Sequence, residues 1–285
     1  MEILNGKEVA QEILDSIASE VSVLRQQGKR IPRIDMILVG TDYASQKYVR
    51  FKEVVAKEIG VMGWVHRMPE SVNTLDIVSL VDTLNKDRTV DGFMIQLPLP
   101  SHVDKSLILR TIDPKKDVDG LTPTNLGKLF QKDGLAIPPA TPLGILKLLD
   151  AYNISLLGKR VVILGASTIV GKPLAAMMLE RNATVTICNS KTVEIADVAR
   201  EADILVSATG KPLFVKGDFL KKDCIVIDVG SNKHPETGKL VGDVDWESVK
   251  GIPSYITPVP GGVGPMTLAC LMLNLMHCYK NEGKK

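Results

Sequence analysis

Tyr48 and Lys52 stand four residues apart in a segment with helical apolar spacing, so one helix face carries both side chains. A lysine serves as an acid or base near neutrality only when its pKa falls, and partial burial lowers it by penalising the ammonium. A phenol one turn away can position that amine or a water. The same spacing also occurs on solvated helix faces, and Arg50 and Lys57 nearby suit such a face. Gln96 follows the apolar residues Phe93–Ile95 of a predicted strand and is itself followed by Leu97-Pro98-Leu99-Pro100. At the carboxyl edge of a parallel sheet, where open α/β sheets bind ligands, its amide can donate or accept. Asp113, Asp117 and Asp119 put three carboxylates in seven residues, but the closing Glu and spacing of a calcium loop are absent. No metal is expected. A single carboxylate there suits the paired N–H donors of an aminopyrimidine ring.

A second group of residues points to a nucleotide. Val161–Leu164 runs into Gly165-Ala166-Ser167-Thr168-Ile169-Val170-Gly171, a strand, a turn and a helix start. Such a turn brings backbone N–H groups up to a pyrophosphate at the positive end of a helix. The match to G-x-G-x-x-G is partial: Ser167 replaces the second glycine and Gly171 comes one residue late. The next strand ends in Asn189-Ser190-Lys191, where an NAD site usually carries an acid for the ribose 2′-hydroxyl. A hydroxyl and a cation there favour the 2′-phosphate of NADP. Pro260-Gly261-Gly262-Val263-Gly264-Pro265 forms a loop that either covers a ligand or returns the chain as a hinge. The four histidines lack metal-ligand spacing, and no G-x-S-x-G elbow is present.

The elements that position these residues alternate. Val9, Ile13, Ile17, Val21 and Leu24 mark a first helix, Ile34–Val39 a buried strand and Ser45–Ile59 a second helix. A strand over Val61–His66, a helix over Thr74–Asn85 and a strand over Gly92–Leu97 follow. Prolines then punctuate a loop-rich stretch from Pro98 to Pro142. A helix opens at Thr141-Pro142, and a second alternating series follows: strands at Arg160–Leu164, Thr184–Cys188, Ile204–Ser207 and Ile225–Val229, with a helix over Gly171–Glu180. Pro265–Tyr279 reads as a long apolar helix, and Asn281–Lys285 as a frayed tail. The class is α/β with two domains: an α/β catalytic domain, and a Rossmann-like parallel-sheet nucleotide-binding domain with a cleft between them. The expected division is 1–140 plus 265–285 for the first and 141–264 for the second.

Composition sets limits on these readings. The 285 residues are 45% hydrophobic but only 4% aromatic, so the core is aliphatic. A net charge of +2, from 35 basic and 33 acidic residues, argues against a nucleic-acid partner. Cys188, Cys224, Cys270 and Cys278 form no C-x-x-C pair and suit a reducing compartment. Neither a secretory signal nor an apolar run of membrane-spanning length is seen, so a cytoplasmic enzyme is expected.

Five segments occur together in one order: Tyr48-x-x-x-Lys52, Gln96–Pro100, Lys116-Asp-Val-Asp-Gly120, Gly165-x-Ser-x-x-Val-Gly-x-Pro173 and Pro260-Gly-Gly-Val-Gly-Pro-Met-Thr267. In this the chain resembles the bifunctional methylenetetrahydrofolate dehydrogenase/methenyltetrahydrofolate cyclohydrolase family over essentially its whole length. The resemblance implies oxidation of 5,10-methylenetetrahydrofolate with NADP, then hydrolysis of the methenyl product to 10-formyltetrahydrofolate, in one-carbon metabolism. It implies that Lys52 is the acid/base of hydrolysis, that Tyr48 orders substrate and lysine, and that Gln96 tunes Lys52. It further implies that Asp119 grips the pterin, and that Leu97, Pro98, Pro260, Gly261 and Gly262 line the substrate. Gly165, Ala166, Ser167, Val170, Ser190, Lys191 and Ser231 match cofactor contacts. The family is usually homodimeric.

Four positions depart from the family's pattern. Position 166 is Ala where many members carry Arg, 189 is Asn where His is frequent, 231 is Ser where Ile is usual, and 140 is Ala where Cys is often found. Because of Ala166, NAD stays open beside NADP. Two other readings also stay open: a monofunctional NAD-linked dehydrogenase, and a non-catalytic folate- or NADP-binding regulator. A short-chain dehydrogenase also uses Tyr-x-x-x-Lys, but there the pair follows the nucleotide turn rather than preceding it.

Overall fold

The computed structural model describes residues 1–131, 134 and 136–282. The chain divides into two compact units. One comprises Met1–Gln11, a short stretch from Leu129, and Thr141–Thr267; the other comprises Glu12–Lys128, the residues up to Ala140, and the chain from Leu268 onward. The first eleven residues therefore sort with the unit containing the nucleotide turn. The tail expected to fray lies partly outside the described residues.

In chain order the elements are β1 (Glu2–Ile3), α1 (Gly6–Gln26), β2 (Arg33–Val39), α2 (Tyr43–Glu58), β3 (Met62–Met68), α3 (Thr74–Lys86) and β4 (Gly92–Ile95). Then come α4 (Lys105–Thr111), α5 (Pro123–Gln131), α6 (Ala140–Ala151), β5 (Arg160–Leu164), α7 (Gly171–Glu180), β6 (Thr184–Cys188), α8 (Ile195–Arg200) and β7 (Ile204–Ser207). The chain closes with β8 (Ile225–Asp228), β9 (Asn232–Lys233), β10 (Leu240–Val241), α9 (Trp246–Val249), β11 (Tyr255–Ile256) and α10 (Val263–Glu282). Among the described residues no helix is long and apolar enough to cross a membrane.

The larger sheet is six-stranded and wholly parallel, ordered β1-β11-β8-β7-β5-β6. Its register pairs Leu164 with Cys188 and with Ser207, and Ser207 with Asp228. The four following loops therefore leave the sheet in one row at its carboxyl edge, as a doubly wound sheet requires for ligand binding. Aliphatic side chains fill the core beneath, with Leu164, Leu205, Val226 and Ile256 fully buried. In the other unit β3-β2-β4 form a smaller parallel sheet, with Ile37 opposite both Ile95 and His66. Ile37, Ile77, Val81 and Phe93 pack beneath it.

Several boundaries depart from the sequence reading for physical reasons. The loop-rich stretch holds α4 and α5. Asp104 caps α4 by accepting from Leu107 N at 3.0 Å, and Pro123 opens α5, where a first-turn residue loses nothing by lacking an N–H. The same tolerance lets α6 begin at Ala140, before Pro142, and α10 at Val263, before Pro265. β4 ends at Ile95, which leaves Gln96 just past the strand. The two-residue strands β1 and β11 are too short for any periodicity.

Candidate active site

α2 leaves β2 through Gly40, whose φ of +78° only glycine adopts freely, and Asp42 caps it by accepting from Ser45 N at 2.8 Å. Its buried stripe is Ser45, Val49, Lys52 and Ala56, a spacing of three and four. Lys52 thus occupies a core-facing position where an apolar residue is usual, and only 8% of its surface is exposed. Its Nζ donates to Gln96 Oε1 at 2.8 Å. The Gln96 amide is held in that orientation because its Nε2 donates to the Leu97 carbonyl at 2.7 Å, beside the cis Leu97–Pro98 bond. Burial lowers the Lys52 pKa, while the Asp119 carboxylate opposes this by attracting the ammonium. Tyr48, one turn earlier, is half exposed.

Asp119 comes from a loop built to present it. Phe93 N donates to the Lys116 carbonyl at 2.8 Å, and Lys116 Nζ donates to the carbonyls of Leu84 and Asp87. Asp117 accepts from Leu121 N, Thr122 N and Asn125 Nδ2, which makes it structural. Asn274 of α10 donates to the carbonyls of Val118 and Pro138 and fixes the loop from the other side. Asp119 accepts no hydrogen bond from the described residues and keeps part of its surface open. Desolvation by the surrounding protein nevertheless raises its pKa to about 6, against the pull of Lys52. Of the three carboxylates noticed in the sequence, only this one is left for a ligand.

Tyr48, Lys52, Gln96 and Asp119 all belong to one unit. Ser45 lies on the same helix face and escaped the sequence reading. Its Oγ is the buried side-chain atom among the described residues that lacks a hydrogen-bond partner. The available signal was its spacing, three residues before Tyr48 and seven before Lys52 on the stripe.

The nucleotide turn lies in the other unit. Gly165 has φ +119°, and a Cβ there would sit 2.3 Å from the Ala208 carbonyl oxygen. A Cβ on Gly171 would sit 1.8 Å from the Gly165 oxygen. The tight turn thus needs glycine at both ends, and Ala166, Ser167 and Val170 form its open rim. Ser167 Oγ accepts from Val170 N at 3.1 Å, and α7 begins without a side-chain cap. Gly165 N donates to the Cys188 carbonyl, so the loop after β6 runs beside the turn. There Asn189 Oδ1 accepts from Lys191 N at 2.9 Å, and Ser190 and Lys191 are exposed. No carboxylate occupies this strand end. A glycine cradle, an uncapped helix start and a hydroxyl–ammonium pair fit a dinucleotide carrying a 2′-phosphate. Ser231 is exposed in the loop after β8. Pro260, Gly261 and Gly262 follow β11, where Lys7 N donates to the Gly261 carbonyl and a Cβ on Gly6 would meet the Gly262 oxygen at 2.0 Å.

Comparison with known proteins agrees with this division of labour. Residues 4–119 match the tetrahydrofolate dehydrogenase/cyclohydrolase catalytic domain, and residues 139–283 match the NAD(P)-binding domain of the same family. The bifunctional protein FolD of Enterococcus faecalis is 48% identical over 98% of this chain and 99% of its own. The crystal structure of the Campylobacter jejuni bifunctional FolD enzyme aligns with a TM-score of 0.96 at 43% identity, covering 99% of both chains. The Trypanosoma brucei dehydrogenase-cyclohydrolase, solved with NADP cofactor and an inhibitor, aligns at 0.94 and 36% identity over 99% of this chain and 98% of its own. With both domains matched and relatives this similar along the whole length, the chain belongs to the tetrahydrofolate dehydrogenase/cyclohydrolase family.

Proposed function

We propose that this chain oxidises 5,10-methylenetetrahydrofolate with NADP and hydrolyses the methenyl product to 10-formyltetrahydrofolate, with Lys52 as the acid/base of the second step. The observation that carries this reading is the buried Lys52 amine, held by Gln96 and facing the Asp119 charge. The methenyl substrate is a cation, and a permanent ammonium beside it would raise its energy, so a lysine of lowered pKa suits the task. In its neutral form Lys52 accepts a proton from water as the water oxygen bonds to the methenyl carbon. The ammonium then returns a proton to N5 as the carbon–N5 bond breaks, and the carbinol hydroxyl gives its proton to the freed amine as the C=O forms, which leaves the formyl group on N10 and one proton for release to solvent. Tyr48 orders substrate, and Asp119 accepts the paired donors of the pterin edge.

The bound dinucleotide supplies the hydride acceptor. Gly165, Ala166, Ser167 and Val170 receive its pyrophosphate, Ser231 its nicotinamide end, and Ser190 and Lys191 its 2′-phosphate. Leu97, Pro98, Pro260, Gly261 and Gly262 line the folate. By function, residues 1–140 with 265–285 are assigned to the folate domain and 141–264 to the nucleotide domain, although Met1–Gln11 and the chain up to Thr267 pack with the nucleotide unit. A spectrophotometric assay with methylenetetrahydrofolate, run with NADP and with NAD, tests the whole reading. Reduced cofactor with no methenyl turnover would favour a monofunctional dehydrogenase, and neither signal would leave only a binding protein.

With Ala166 where many members carry an arginine, Lys191 supplies the positive charge for the 2′-phosphate. Lys191→Ala is therefore expected to lower the NADP-to-NAD ratio of kcat/KM by about tenfold, the scale of one charge-assisted contact. An unchanged ratio would assign the preference elsewhere.

We also propose a cytoplasmic homodimer. β3 is an edge strand with Met62 and Trp64 exposed at 46% and 58%, and α2, which packs on it, exposes Phe51 and Val54. Arg33 stacks over the Trp64 ring at 5.7 Å. An unprotected apolar edge of this kind is a natural pairing surface. Sedimentation equilibrium should give twice the 31.0 kDa chain mass, and Trp64→Lys should give the single-chain mass. A wild-type monomer would reject the dimer.

A further inference from the structure

We propose that Asp243 is a positioning residue for the dinucleotide, holding from behind the loop after β7, which borders the nucleotide turn, and tying it to the loop after β8. This rests on the cofactor reading above. Asp243 follows β10 and is fully buried. Its Oδ2 accepts from Thr209 N at 2.6 Å, Thr209 Oγ1 at 2.9 Å, Ser207 Oγ at 3.0 Å and Gly210 N at 3.3 Å. Its Oδ1 accepts from Asn232 Nδ2 at 2.8 Å. One carboxylate thus collects donors from the end of β7, the loop beyond it, and the residue after Ser231.

The surroundings are shaped around this carboxylate. Asp243 N donates to Asp228 Oδ1 at 2.9 Å, which anchors it to the end of β8. A Cβ on Gly230 would lie 2.4 Å from Asp243 Oδ1, and one on Gly242 would lie 1.8 Å from Asp228 Oδ2. Both glycines are therefore required for the carboxylates to approach. The consequence for the site runs through Ala208, which sits between Ser207 and Thr209. Its carbonyl oxygen is the atom that a Gly165 side chain would strike. The 207–210 segment is the wall against which the nucleotide turn closes, and Asp243 fixes that wall. An acceptor oxygen is needed at Oδ2 because two of its partners are backbone N–H groups, which cannot reverse their polarity as hydroxyls can. Neither Asp243 oxygen needs to touch the cofactor for this role.

The test is isothermal titration of NADP, with both activities assayed, on wild type, Asp243→Ala and Asp243→Asn. Asp243→Ala should weaken NADP binding and raise its KM at least tenfold, while kcat at saturation falls less. Hydrolysis of the methenyl substrate should stay within about twofold, because Tyr48, Lys52, Gln96 and Asp119 lie in the other unit. Asp243→Asn should fall between, since its amide can turn its oxygen to Thr209 while the Asn232 amide reverses. If Asp243→Ala does not fold, the asparagine variant still decides, because a purely structural role predicts lower thermal stability with an unchanged NADP KM. Wild-type affinity in a folded variant overturns the proposal. A wild-type protein that fails to bind NADP overturns the cofactor reading instead.

Discussion

Replacing Lys52 with methionine is expected to slow methenyl hydrolysis by at least about a thousandfold, within the range that a positioned acid/base supplies. Methionine keeps an unbranched chain in the buried stripe of α2 and removes the charge that burial disfavours, so the thermal midpoint should hold or rise. Hydride loss from the methylene bridge moves no proton to the protein. NADP-linked oxidation should therefore continue, and the methenyl compound should accumulate. Full hydrolysis in a folded Lys52→Met protein would remove the lysine from its assigned role. The wild-type pH profile carries the same logic in two parts. The Asp119 pKa is raised to about 6, so below that pH it loses the charge proposed to accept the pterin donors, and KM should rise. Lys52 must be neutral to take a proton from water, so acidification should also lower kcat.

How far the sequence revealed this site depends on sequence distance and on burial. The strands β5, β7 and β8 were legible because each holds a short apolar run bounded by turn residues, and β6 because its β-branched residues alternate between two turns. β1 and β11 were not, since two-residue strands exist only through pairing with one another and with β8. Tyr48 and Lys52 were visible as a pair because a helix fixes their relation locally. The Lys52–Gln96 hydrogen bond spans 44 positions and needed the sheet to bring the ends of β2 and β4 together. Asp117 and Asp119 looked alike in sequence, and only their hydrogen bonds separate the loop brace Asp117 from Asp119, which stays open to a ligand. Asp243 sits in Gly242-Asp-Val-Asp245, which reads as a surface turn. Its burial follows from donors contributed by segments ten and more residues away.

Gly171→Ala is expected to cut kcat/KM for NADP by at least about a hundredfold, or ~2.7 kcal/mol of transition-state stabilisation, and to spare hydrolysis. The added methyl would lie 1.8 Å from the Gly165 carbonyl oxygen and 3.3 Å from Ala166 Cα. One side must yield by more than an ångström. Gly165 cannot retreat, because it is already pressed against the Ala208 carbonyl at φ +119°. The turn must therefore move outward, into the space where a pyrophosphate would lie. Hydride transfer depends steeply on how donor and acceptor are held, so a shift of this size is costly even if some binding remains. Gly158→Ala separates this displacement from a general loss of stability. Gly158 adopts φ +71° with open space around its Cβ position, so alanine there costs about 1–2 kcal/mol of backbone strain and nothing at the turn. Equal NADP kinetics in the two variants would show that the turn tolerates displacement. A defect confined to Gly171→Ala would show that its close approach to Gly165 sets the cofactor's place.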